Sequence, residues 1–205
     1  MIRPATRVLA VAAATLALGG CITLFPKATP APLYRFGEQV TAAQAPSDTH
    51  FAVLDDTLGF DRTASTDRIL TINGNEVAYI KDARWAVAAP LMFHTAVQHA
   101  FDSAGGPARL IERGEAWRPD YVMKVDVLRF EARYDHGAGA APTIVVRLRA
   151  TLNKGMDHAL VGDRLFEASI AASDNRVGPI TEAFDQATSK VLTDLVAWVD
   201  QAGTT

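Results

Sequence analysis

The chain has 205 residues, with 20 Lys and Arg against 23 Asp and Glu and a formal net charge of −3. That balance excludes the strongly basic face that nucleic-acid phosphates demand, and the length suits one domain with a sizeable core. The single cysteine, Cys21, excludes an intrachain disulfide framework.

The chain opens MIRPATRVLAVAAATLALGGC. Arg3 and Arg7 make a basic start, residues 8–18 are apolar apart from Thr15, and Gly19 and Gly20 are small residues before Cys21. This order predicts a signal peptide over 1–20. Its apolar run is shorter than the ~20 residues a membrane-spanning helix needs. The segment LGGC at 18–21 resembles a bacterial lipobox. That resemblance implies a diacylglycerol on the Cys21 thiol, cleavage before Cys21 and acylation of the new amine. Several acyl chains, each buried CH₂ worth ~0.8 kcal/mol, hold a protein on a bilayer more firmly than one. The lipoprotein sorting rule retains proteins with Asp after the cysteine in the inner membrane. Ile22 therefore implies the periplasmic face of the outer membrane.

Residues 21–32, carrying Pro26, Pro30 and Pro32, read as a stand-off tether of ~30 Å at ~3.1 Å per residue. LYRF at 33–36 reads as a first short strand and 37–50 as a loop. FAVL at 51–54 reads as a buried strand, with Asp55 and Asp56 as the turn residues that end it. RILTI at 68–72 and EVAYI at 76–80 flank Asn73 and Gly74. An Asn-Gly pair supplies the positive φ angles of a tight turn, so a β-hairpin is predicted.

Pro90 opens a helix. Phe93, Val97, Ala100 and Ala104 share one stripe, widened by Met92, Ala96 and Phe101, and Gly105 and Gly106 end it. ARLIER at 108–113 reads as a short strand. Met123, Val125 and Val127 then alternate on odd positions, whereas Leu128, Phe130, Ala132 and Tyr134 alternate on even ones. That change of phase predicts a β-bulge at Val127 and Leu128. After a loop at 135–142, Ile144, Val146, Leu148, Ala150 and Leu152 alternate strictly. Arg147 and Arg149 fall on the opposite, solvated face. A strand over 160–170 follows. Pro179 opens a last helix with Ile180, Phe184, Ala187, Val191, Leu195 and Val199 in one stripe. Trp85 and Trp198 read as core caps at helix ends. The predicted architecture is an α+β single domain over 33–201, two amphipathic helices on a mostly antiparallel sheet.

The sequence carries no motif for catalysis, a metal or a cofactor. His94 and His99 share a helix but lie about 140° apart around its axis at 100° per residue, whereas metal pairs sit i, i+4. Asp55 and Asp56 point to opposite sides of an extended chain, so they form no acid/base pair. Glu112 and Glu115 likewise read as turn residues. G-x-S-x-G, P-loop and dinucleotide fingerprints are missing. HGAGA at 136–140 joins two strands and so cannot cradle phosphate on a helix N-terminus.

Five segments follow one order: RIL at 68–70, EVAYIKDARWAVAAP at 76–90, DYVMKVDVLRFE at 120–131, VVRLRATL at 145–152 and LVAWV at 195–199. In that order the chain resembles the ABC-type transport auxiliary lipoproteins, the PqiC-like family. The most specific part is Tyr79, Arg84, Trp85, Ala86 and Pro90, with Trp198 in the last segment; these are pattern residues of structural character. The resemblance implies a non-enzymatic lipoprotein serving an ABC permease and ATPase with an MCE-domain periplasmic partner. Such systems move lipids between inner and outer membranes. It also implies a membrane contact through the lipid anchor, with a homo-oligomer as one arrangement. Two other readings stand beside it. One is a lipoprotein module assisting outer-membrane or cell-wall assembly. The other is a periplasmic hydrolase, which requires a pocket with convergent titratable groups.

Overall fold

The computed structural model describes residues 31–37, 50–115 and 118–204. Cys21, the signal segment, most of the tether and residues 38–49 lie outside the described residues. The folded unit runs Pro32–Thr205. Its elements in chain order are β1 (Leu33–Tyr34), β2 (Phe51–Phe60), β3 (Arg68–Asn73), β4 (Glu76–Trp85), α1 (Ala89–Ala104), β5 (Ala108–Ile111), β6 (Tyr121–Arg133), β7 (Thr143–Lys154), β8 (Leu160–Ala171) and α2 (Val177–Gly203).

All eight strands join one sheet organised on β6. One edge of β6 pairs with β7, and β8 lies beyond it. The other edge is shared: β2 runs along residues 121–127, and β3 meets Ala132 and Arg133. β5 lies beyond β2, and β4 then β1 lie beyond β3.

The sheet is mixed, and this corrects the antiparallel expectation. Four of the seven pairings are parallel: β1–β4, β2–β5, β2–β6 and β3–β6. Only the pairs joined directly in sequence, β3–β4, β6–β7 and β7–β8, are antiparallel. Parallel partners need a crossover between them. The whole β3–β4–α1 segment forms the crossover from β2 to β5.

Three further differences concern particular residues. β2 does not end at Leu54 but continues to Phe60 through a register shift between Asp55 and Thr57. Asp55 and Asp56 are thus strand residues at a bulge. Trp85 closes β4 and is fully enclosed, so it caps no helix. The hairpin turn is Gly74-Asn75, because Asn73 pairs with Glu76. Gly74 has φ 58° and both flanking asparagines keep negative φ, so a glycine-first turn replaces the Asn-Gly form.

Other expectations hold. Pro90 lies in the first turn of α1, and Gly105 ends it in the left-handed conformation at φ 66°. The bulge in β6 falls between Val127 and Arg129. The inward row of β7, from Ile144 to Leu152, is fully buried.

Both helices pack on one face of the sheet, and the core lies between. Phe130 is the hub of an aromatic cluster, with ring centroids 4.8 Å from Phe36 and from Phe184, 5.6 Å from Phe60 and 6.0 Å from Trp85. Full burial of side chains this size contributes about 1.5–3 kcal/mol each, which suffices for a core without cross-links. Phe130 points inward because the bulge resets the phase of β6. Leu128, expected in the same row, is the bulged residue and stands 44% exposed.

Candidate functional site

The expected pattern residues form a clamp on the chain between β2 and β3. The Tyr79 hydroxyl donates to the Thr63 carbonyl at 3.0 Å, and the Arg68 guanidinium lies 4.0 Å from the Tyr79 ring centroid. Arg84 donates to both oxygens of Asp67, at 3.0 and 2.9 Å. The Trp85 amide donates to the Asp67 carbonyl at 2.7 Å, and the Ala89 amide to the Thr66 carbonyl at 3.0 Å. Pro90 follows at the start of α1. The spacing of Tyr79, Arg84, Trp85 and Pro90 thus matches one task, holding residues 63–67 against the end of β4. Trp198 lies elsewhere, on α2. Its ring is 5.8 Å from Phe166 and covers Gly162, where a Cβ would come within 2.9 Å of the indole.

Titratable groups do converge at the bulge of β2. His94 on α1 sits between two carboxylates, with Nδ1 3.2 Å from Asp55 Oδ2 and Nε2 3.7 Å from Glu112 Oε1. Gln98, one turn further along α1, donates to the same Glu112 oxygen at 2.5 Å. Arg113 pairs with Asp56, and Glu115 accepts from the Glu112 amide at 2.8 Å. Burial holds the Asp55 carboxyl above its ordinary value, and the neighbouring His94 opposes that shift.

The arrangement is a brace linking β2, α1 and the end of β5. Each ring nitrogen of His94 faces a carboxylate, Asp55 within hydrogen-bond distance and Glu112 just beyond it. Among the described residues, no group of three or more His, Cys, Asp or Glu is arranged to hold a metal ion. His99, on the other flank of α1, does not join His94.

The second group missed from the sequence is Asp200. It is 5% exposed on α2, and one oxygen accepts the Ala108 amide at 2.9 Å. Among the described residues the other oxygen has no hydrogen-bond partner, and it abuts Gly106, where a Cβ would meet it at 2.1 Å. Burial raises its carboxyl, opposed by the Ala108 hydrogen bond. A signal was present: Asp200 continues the i, i+4 row of Leu192 and Val196, an acid placed on an apolar stripe.

Cavities border both helices. One of about 280 Å³ is bordered by Phe36, Val87, Leu91 and His99. Another of about 380 Å³ opens between the β3–β4 hairpin and the start of α2, bordered by Ala78, Ile80, Tyr134, Val177 and Ile180. The Tyr134 hydroxyl donates to Asn175, whose amide donates to the Ala138 carbonyl, so this wall is already hydrogen-bonded. Arg147 and Arg149 lie on the open sheet face, each against an acid of β8, Glu167 at 3.4 Å and Asp163 at 3.0 Å. Among the described residues, no helix is long and apolar enough to cross a membrane.

Comparison with known proteins places this geometry. Protein XCC0632 from Xanthomonas campestris is 27% identical, covering 85% of this chain and 97% of its own, at a TM-score of 0.76. An uncharacterised protein at 12% identity shares the fold at a TM-score of 0.62, covering 78% of this chain and 99% of its own. The hypothetical protein CT253 from Chlamydia trachomatis, 10% identical, does so at 0.54, covering 76% and 98%. No curated protein matches the chain. The model of the ABC-type transport auxiliary lipoprotein component matches residues 34–196. Because that match spans nearly all of the folded unit, the chain belongs to the family of ABC-type transport auxiliary lipoproteins.

Proposed function

We propose that this protein is a lipid-anchored docking component of an ABC transport system that moves lipids between the inner and outer membranes. Cys21 carries the acyl chains after removal of residues 1–20, and residues 21–32 act as the tether. The domain over 33–201 stands at the periplasmic face of the outer membrane. There it engages an MCE-domain partner, whose permease and ATPase lie in the inner membrane. It acts by being held in place and holding others, not by transforming a substrate.

The observation that carries this reading is the family match over residues 34–196. The bracing role of His94 and Gln98 between Asp55 and Glu112 supports the non-catalytic part. The test is crosslinking in intact cells followed by purification of this protein. MCE-domain and ABC components should be enriched above background. Recovery of cell-wall or outer-membrane assembly proteins in their place would favour the alternative module and overturn the transport role.

A further inference from the structure

The strand β5 is short and pairs only with β2, over Ala108–Ile111. Past Ile111 the turn at 112–115 makes no strand pairing among the described residues. That turn is closed on itself. The Glu115 amide donates to the Glu112 carbonyl at 3.3 Å, and the Glu112 amide donates to Glu115 Oε2 at 2.8 Å. It is a small unit whose position depends on what its side chains reach.

Three links tie it to the rest of the domain. Gln98 on α1 donates to Glu112 Oε1 at 2.5 Å, and His94 Nε2 stands 3.7 Å from the same oxygen. Arg113 pairs with Asp56 on β2. Between pH 5 and 8 histidine is the side chain that changes charge, whereas ordinary carboxylates and guanidinium groups keep theirs. His94 is therefore the link that pH can switch.

The groups around the imidazole are mostly acidic. Asp55 and Asp56 approach from β2, and Glu112 and Glu115 belong to the turn after β5. Gln98 is the neutral neighbour on α1, and Arg113 is the one cation in this set. Two further α1 groups, His99 and Asp102, border the adjoining cavity of about 360 Å³ together with Leu110 and Ile111. Burial holds the Asp55 carboxyl above its ordinary value, His94 lowers it, and Glu112 and Asp56 raise it, so the carboxylates repel one another here. A protonated imidazole donates from both nitrogens and offsets that repulsion. A neutral imidazole has a single N–H. With Nδ1 3.2 Å from Asp55 Oδ2, that hydrogen serves Asp55, and Nε2 turns a lone pair toward Glu112. Opening the turn separates an ion pair in the first state and none in the second.

We propose that His94 is a pH-sensitive clasp: protonated, it draws Glu112 and the 112–115 turn onto α1, and neutral, it releases the turn and opens the cleft between α1 and β5 in which Leu110 and Ile111 lie. The inference rests on these contacts and is independent of the transport role. Glu112 is 60% exposed, so screening limits the pull, and the closed state should gain about 2–5-fold in population between pH 7.5 and pH 5.5.

The test is an NMR titration of the full-length lipoprotein in detergent micelles from pH 5 to 8. It follows the His94 ring-carbon shift and the exchange of the Gln98 side-chain amide protons with water, corrected for the intrinsic pH dependence of exchange. Opening at Gln98 should rise about 2–5-fold across the His94 titration. Glu112→Gln keeps an acceptor for Gln98 and removes the charge. It should abolish the step while leaving thermal unfolding within ~2 °C of wild type. His94→Gln should abolish the step as well, and His99→Gln, on the other flank of α1, should leave it intact.

The absence of a step at the His94 titration would overturn the proposal, as would a step that survives in Glu112→Gln. A step lost in His99→Gln would assign the switch to the wrong histidine. A step shared equally by amides throughout the sheet would show global loosening in place of a local clasp, and would overturn it too.

Discussion

Asp200 offers a clear test of how the helical layer is locked to the sheet. Asp200→Ala removes the acceptor of the Ala108 amide, which is buried with its residue 2% exposed. An orphaned buried N–H costs about 1–3 kcal/mol. In a domain of this size each kcal/mol shifts the melting temperature by roughly 2–4 °C, so a fall of roughly 2–12 °C is expected at neutral pH. Asp200→Asn keeps the acceptor and removes the charge. Because burial raises the folded-state carboxyl, its stabilising contribution is present in acid and is lost as pH rises through the folded value. The Asn variant escapes that loss. It should match or exceed wild type near neutral pH, with the difference closing below about pH 4, where both side chains are neutral. Differential scanning calorimetry across that range reads both effects. An Ala variant as stable as wild type, or an Asn variant as damaged as Ala, would refute the reasoning.

Three other substitutions probe separate parts of the account. Phe184→Ala empties a fully buried site against Trp85 and Phe130, and denaturant titration should show a loss of about 3–5 kcal/mol. Leu128→Asp, at the exposed bulge, should change stability by no more than about 0.5 kcal/mol, whereas Leu148→Asp in the fully buried row of β7 should prevent folding; circular dichroism distinguishes them. His94→Ala removes the group that lowers the Asp55 carboxyl, which then rises further. Its destabilisation, read as a difference in melting temperature, should be larger near pH 6 than in acid below the ordinary carboxylate range, about pH 3, where Asp55 is protonated in both proteins.

The local features were legible because each has a local cause. Pro90 with Gly105 brackets α1, the phase change at Val127 and Leu128 marks a bulge, and the alternation from Ile144 to Leu152 marks a buried face. What failed was whatever depends on distant partners. Nothing within FAVLDD shows that β2 continues past Asp55, because the reason is β6 pairing alongside it some seventy residues later. The parallel pairings were invisible for the same reason, since the crossover that makes them is spread over a hairpin and a helix. The brace of His94 draws its members from β2, α1 and the end of β5, three places that no motif spacing connects. The pattern residues Tyr79, Arg84, Trp85 and Pro90 were legible as a set, but their shared task, holding residues 63–67, emerges only from the hydrogen bonds.

Intact-mass spectrometry of the native protein extracted from cell membranes tests the central claim most directly. A chain beginning at Cys21, heavier than its sequence by a diacylglycerol and an amide-linked acyl group, is the predicted result. A freely diffusing protein that retains residues 1–20, or carries an unmodified Cys21 thiol, would contradict it.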